Sequence, residues 1–115
     1  MLLQATQSGN VTVAAPTGRI DHEHAETFTE LIEPHVRACK QGEAPLLIDL
    51  SGVDYVSSVG LRALMIVSRR VNAQGGAVDL AALQPNVREI FEISRFDLVF
   101  KIHDTVAAGL AALSA

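Results

Sequence analysis

The sequence predicts an α/β domain: one mixed, mainly parallel β-sheet with an N-terminal hairpin and about four helices, in the order β-β-α-β-α-β-α-β-α. Three observations lead there. Apolar runs of strand length alternate with stretches of helical periodicity, as in parallel sheets with right-handed crossovers. The first two runs instead flank "SGN" (Ser8–Gly9–Asn10), a hairpin signal. No repeat, low-complexity tract or long linker divides the chain, so residues 1–115 read as a single domain.

The elements follow in order. Leu2–Gln7 and Val11–Ala15 are the hairpin strands. "TGRID" leads into a helix from about His22 to Lys40, in which Phe28, Leu31, Ile32, Val36 and Cys39 recur at helical spacing and mark the buried face. Glu23, Glu26 and Glu30 lie toward its start, where the helix dipole favours acids. Pro34 removes a backbone donor and is expected to kink or split this helix. "PLLIDL" (Pro45–Leu50) is a compact apolar run of the kind covered on both faces. A second helix runs from about Ser58 to Ala73, with Leu61, Leu64, Ser68 and Val71 along one side and Arg62 and Arg69 on another. "AVDLAAL" (Ala77–Leu83) is a strand, and "QPNVREIFEISRF" a short helix with Pro85 near its start. "LVFKI" is the final strand, and "DTVAAGLAALSA" the final helix, with Asp104 as its cap.

Composition narrows the function. The chain is 49% hydrophobic but only 4% aromatic, with no Trp, so the core must be aliphatic. A formal charge of -4 argues against a general nucleic-acid surface and against anionic membranes. The single cysteine, Cys39, cannot form an internal disulfide and fits a reducing compartment. "MLLQATQSGN" lacks the basic start and apolar run of a signal peptide, and no apolar stretch nears the roughly 20 residues of a membrane span. A cytoplasmic protein without direct membrane insertion is expected.

No P-loop, G-x-S-x-G or dinucleotide fingerprint is present, and Asp49 and Asp54 have no visible pocket to serve. Neither an enzyme nor a cofactor is expected. On a helix His22 and His24 would point about 200° apart, and His35 and His103 give no ligand spacing, so no metal is expected either.

The segment "DLSGVDYVSSVGLRAL" is the informative one. It follows the "LLIDL" strand and opens the second helix, placing Ser57 and Ser58 at a helix N-terminus beyond a strand's carboxyl end, where α/β sheets tend to carry their sites. A cap needs one serine, and two are present. Gly60 permits close approach, by a partner or by the fold itself. Arg62, Arg69 and Arg70 form either a solvated face or a strip for an acidic patch.

This segment resembles the signature of the STAS domain, the fold of bacterial anti-sigma-factor antagonists, whose pattern is D-L-S-x-V-x-F-hydrophobic-D-S-S-G-hydrophobic-G. Laid on it without gaps, the acid falls on Ser57, the phosphorylated serine on Ser58, the second serine on Val59, the glycine on Gly60 and the hydrophobic position on Leu61. Arg62 replaces the second small residue. "GRIDHEHAETF" is similar to the family's G-x-L-D segment, with Asp21 on the acid, and "QPNVREIFEISRFDLVFKI" is similar to its tail. The resemblance implies a STAS fold and a partner switch. The unmodified protein would bind an anti-sigma factor that is also a serine kinase. Phosphorylation at Ser58, with Ser57 as the rival acceptor, would end that binding, and a serine phosphatase would restore it. The partner surface would comprise Asp21, His22, Ser57, Ser58, Val59, Gly60, Leu61 and Arg62, on a monomer or weak dimer. Asp21 has a plain alternative in helix-start chemistry. The same fold leaves other roles open: a small subunit of a lipid-transport ABC system, a signalling-assembly scaffold, or a nucleotide- or ligand-binding module.

Overall fold

The computed structural model describes residues 1–114. The elements are β1 (Leu2–Ser8), β2 (Val11–Ile20), α1 (Ala25–Ala38), β3 (Leu46–Asp49), β4 (Val53–Val56), α2 (Ser58–Ala73), β5 (Val78–Ala81), α3 (Pro85–Ile93), a 3-10 turn (Phe96–Leu98), β6 (Ile102–His103) and α4 (Val106–Leu113). The sheet order is β1-β2-β3-β5-β6, and β4 pairs with β2. Among the described residues only the β1–β2 pairing is antiparallel. The mixed, mainly parallel sheet with an N-terminal hairpin and four helices is thus the predicted one.

β2 organises this sheet. Its early residues Thr12–Ala14 pair with β3, and its last residues, Gly18–Ile20, pair with β4. Thr12 N donates to Pro45 O and Gly18 N to Gly52 O, so strand alternation turns the nitrogen of position 16 the same way. Pro16 stands there, between the two pairings, and has no N–H to leave unpaired.

The core has two parts. Phe28, Ile32 and Val36 of α1, Leu61, Leu64, Val67 and Val71 of α2, and Val87 and Phe91 of α3 pack on one face of the sheet. Val11, Val13, Leu47 and Ala81 meet Val106, Leu110 and Leu113 of α4 on the other. β3 serves both: Leu46 and Ile48 belong to the first cluster and Leu47 to the second, as expected of a strand covered twice. Cys39 is a buried small hydrophobe whose Sγ donates to Ala77 O at 3.3 Å.

Several expectations need correction. β2 runs on through "TGRI", and the β-like run before Ser57, absent from the predicted order, is a strand of its own, β4. Its buried residues, Val53 and Val56, are three apart, and its pairing with β2 shifts register between Gly18 and Arg19, so no clean two-residue period marks it. α1 begins at Ala25 rather than His22, because the Asp21 carboxylate ties down the preceding turn. Leu31 is half-buried rather than core. Pro34 neither breaks nor divides α1; it is exposed, so water can satisfy the Glu30 carbonyl that it leaves without a donor. The strand expected over "LVFKI" shrinks to Ile102–His103, since Arg95 adopts φ 64° and the chain turns through Phe96–Leu98. Thr105, not Asp104, caps α4: its Oγ1 accepts from Ala108 N at 3.0 Å. Ala115, the last residue of that predicted helix, lies outside the described residues.

The exposed mid-helix proline gives a test. Pro34→Ala restores a donor for the Glu30 carbonyl and should raise stability by about 1–2 kcal/mol in urea unfolding, part of the roughly 3 kcal/mol helix penalty being offset by a looser unfolded chain. An unchanged or lower midpoint would contradict this reading of α1.

Candidate functional site

β2 and β4 run parallel and end together at Ile20 and Val56, so Asp21 and Ser57 leave the sheet side by side. Ser57 N donates to Ile20 O at 3.0 Å. Three residues on, Gly60 is buried with its backbone against Ile20, where a Cβ would overlap the Ile20 carbonyl oxygen. The first turn of α2 is therefore fastened to the end of β2. Gly60 acts in the fold, and Leu61 is buried in the core; neither offers a side chain to a partner.

The two serines differ. Ser57 is extended, at φ -86° and ψ 175°, and half-buried. Its Oγ accepts from Gly60 N at 3.2 Å, and its carbonyl accepts from Leu61 N at 2.8 Å, which is N-capping by hydroxyl. Ser58 is the first helical residue and is exposed, and among the described residues its hydroxyl makes no hydrogen bond. Among the described residues the amides of Ser58 and Val59 likewise have no acceptor, as the opening turn of a helix leaves them.

Asp21 is buried and fully engaged. Its Oδ1 accepts from Glu23 N and His24 N, both at 3.1 Å, and lies 2.7 Å from His24 Nδ1, while Oδ2 accepts from Arg19 Nε at 3.2 Å. Burial pushes the carboxyl up, but hydrogen bonds from His24 and Arg19, with the charge on His24, outweigh it and lower the pKa from 3.8 to about 2. Arg19 in turn lies over the Tyr55 ring, 4.5 Å from its centroid. Asp21 thus shapes the turn beside Ser57 rather than offering a free carboxylate. His22 is exposed, and His24 precedes α1 as its N-cap residue, so the helical geometry assumed for the pair does not apply. Among the described residues no cluster of three metal-ligating side chains occurs.

The arginines separate. Arg70 pairs with Glu33 and holds that carboxyl below its usual range. Arg62 and Arg69 are exposed and make no ion pair among the described residues. Sequence reasoning missed the Arg19–Tyr55 stack and the Asp79–His103 pair at 2.8 Å, which ties short β6 to β5. Both join residues far apart in the chain, and local spacing carries no signal for them. Recesses of about 240 and 310 Å³ exist, but one is lined by residues such as Gln7, His35 and Glu43 and the other by Asn72, Asp79 and Lys101; Ser57 and Ser58 line neither.

Fold and site define a class: a small α/β domain presenting an exposed serine at a helix N-terminus, outside both of these recesses. The family model for the STAS domain matches residues 3–109, and the chain belongs to that family. It is 31% identical to a Bordetella bronchiseptica relative assigned by name to the anti-sigma factor antagonists, BtrV, over 97% of this chain and 94% of that one. The crystal structure of an anti-sigma factor antagonist from Mycobacterium paratuberculosis superposes with TM-score 0.86 at 24% identity, covering 99% of this chain and 94% of that one. The anti-sigma factor antagonist SpoIIAA from Bacillus, solved in unphosphorylated and phosphorylated forms, shares the fold at 18% identity with TM-scores of 0.71 and 0.66, covering 96% of this chain in both and 96% and 98% of the solved chains. No helix of the described residues is long and apolar enough to cross a membrane.

Two outcomes follow from the site geometry. Gly60→Ala should lower stability by about 3 kcal/mol or more in denaturant unfolding, because backbone rather than a flexible side chain blocks the added methyl. A loss under about 1 kcal/mol would mean that α2 is not fastened there. For Asp21, the folded pKa lies below the ordinary 3.8, so its contribution is complete above pH 3.8 and disappears as pH falls through about 2. The stability difference between the wild type and Asp21→Asn should be at full size at pH 5 and close as the pH falls between 4 and 2. A difference that persists to pH 2 would contradict the assignment.

Proposed function

We propose that this protein is an anti-sigma-factor antagonist that binds an anti-sigma factor with serine-kinase activity, and that phosphorylation of Ser58 ends the binding. The observation that carries this reading is the division between the serines. Ser57 caps α2 through its Oγ, while the Ser58 hydroxyl is exposed, makes no hydrogen bond among the described residues, and stands at the position where the family pattern has the phosphoacceptor. In the kinase step, Ser58 Oγ attacks the γ-phosphorus of ATP. The Oγ–P bond forms as the bond to the β-phosphate oxygen breaks, ADP leaves, and the hydroxyl proton passes to a base of the kinase or to water. A serine phosphatase hydrolyses the ester with water and restores the hydroxyl.

The fold can carry this phosphate. It adds roughly -1.5 to -2 charges at a helix start, where dipole and free amides favour an anion, so the host stays folded. The effect falls on the partner. Against a partner carboxylate about 6 Å away, at an effective dielectric of about 40, each charge costs about 1.4 kcal/mol. A near-dianion costs about 3 kcal/mol, roughly a hundredfold in affinity. The site's position outside the recesses supports a protein partner over a small ligand.

The test uses the cognate kinase and ATP. Ser58→Ala should bind the kinase and remain bound when ATP is added. Ser57→Ala should still gain one phosphate, at a stability cost of about 1 kcal/mol for the lost cap. Ser58→Asp, with one charge, should weaken binding about tenfold rather than a hundredfold. Phosphate found on Ser58→Ala and absent from Ser57→Ala would overturn the assignment.

A further inference from the structure

α2 is a basic helix in an acidic protein. Its sixteen residues, SVGLRALMIVSRRVNA, hold three arginines and no acid, in a chain of formal charge -4. Its inward side, from Gly60 and Leu61 through Leu64 and Val67 to Val71, fills the core. On the other side, Val59 is 45% exposed and Ile66 48%; they are the exposed large apolar residues of α2, the others among the described residues, Leu2, Ile93, Leu98 and Val99, lying elsewhere. Val59 and Ile66 are seven residues apart, as are the exposed arginines Arg62 and Arg69, and a spacing of seven returns a helical position to within about 20°. At about 100° per residue, Ser58, Val59, Arg62, Ile66 and Arg69 fall in one outward stripe roughly 100° wide. Arg70, just off the stripe, is already paired with Glu33.

We propose that this stripe is the docking face for an acidic amphipathic helix of the partner, and that a phosphate on Ser58 closes it by pairing with Arg62 within α2. The inference rests on the functional reading above and supplies its partner chemistry. Apolar and cationic positions that both repeat at seven match a facing helix with apolar residues and carboxylates at the same spacing. The uncompensated arginines select carboxylates, and Val59 and Ile66 supply the area that leaves water. Ser58 and Arg62 stand at i and i+4, with the anion N-terminal to the cation, the favourable order on a helix. Phosphorylation therefore acts twice: it places negative charge at the head of the stripe, and it withdraws the nearest cation from the partner's carboxylates. Arg62 stands where the quoted family pattern has a small residue, so this second action depends on the arginine that replaces it.

Two measurements test it. With phosphoserine encoded at position 58, the second phosphate pKa read by phosphorus NMR should rise by about 0.3 unit in Arg62→Ala, the size of an i,i+4 ion pair; an unchanged value overturns the pairing. In the second, the unphosphorylated protein is titrated with its cognate kinase. Arg62→Ala and Arg69→Ala should each raise Kd about threefold, and the Arg62→Glu/Arg69→Glu double variant by tenfold or more, with helical content unchanged by circular dichroism. Wild-type binding that the variants leave untouched overturns the stripe alone. Failure of the wild type to bind the kinase overturns the functional reading and the stripe with it.

Discussion

The contact on which the site depends is between α2 and the end of β2. Ser57 N reaches the Ile20 carbonyl at 3.0 Å, and Gly60 lets the helix backbone lie against the same residue. A side chain at position 60 would lift the helix and carry Ser57, Ser58 and the outward stripe with it. The contact in turn requires β2 to be long enough to hold β3 and β4 in succession, which Pro16 permits by having no donor at the changeover. Sheet topology, a glycine and a proline thus fix where one hydroxyl stands.

Around that hydroxyl, polar groups are sorted by whether the fold uses them. Asp21, Ser57 and Arg70 are engaged within the chain, by four contacts on one carboxylate, by a helix cap and by an ion pair respectively. Among the described residues Ser58, Arg62 and Arg69 make no such contact. The same sorting explains why a phosphate is tolerable. The amides at the head of α2 are donors awaiting an acceptor, so the modification meets a prepared environment on its own chain, and its energetic consequence falls on whatever lies opposite.

Most of this fold was legible in the sequence because its signals are local. Helical spacing delivered α2 with its observed ends, the "SGN" turn delivered the hairpin, and the unbroken apolar run of β3 announced burial on both faces. β4 was hidden because Val53 and Val56 fall out of a two-residue period where the ladder shifts register. The start of α1 moved because a side chain, Asp21, competes with the helix for Glu23 N and His24 N. At the site, spacing and family pattern picked out both serines. Which one caps depends on a hydrogen bond to Gly60 across the first turn, and the inward packing of Gly60 and Leu61 is likewise set by the fold rather than by the pattern.

The central physical claim is that phosphate at Ser58 leaves the host intact and acts outward. Hydrogen exchange of the α2 amides, compared between the unmodified protein and one with phosphoserine encoded at position 58, tests it directly. Exchange should be unchanged through the body of α2 and slower at Ser58 and Val59, whose amides gain an acceptor. Faster exchange along α2 would show that the phosphate works by loosening the helix, and would contradict it.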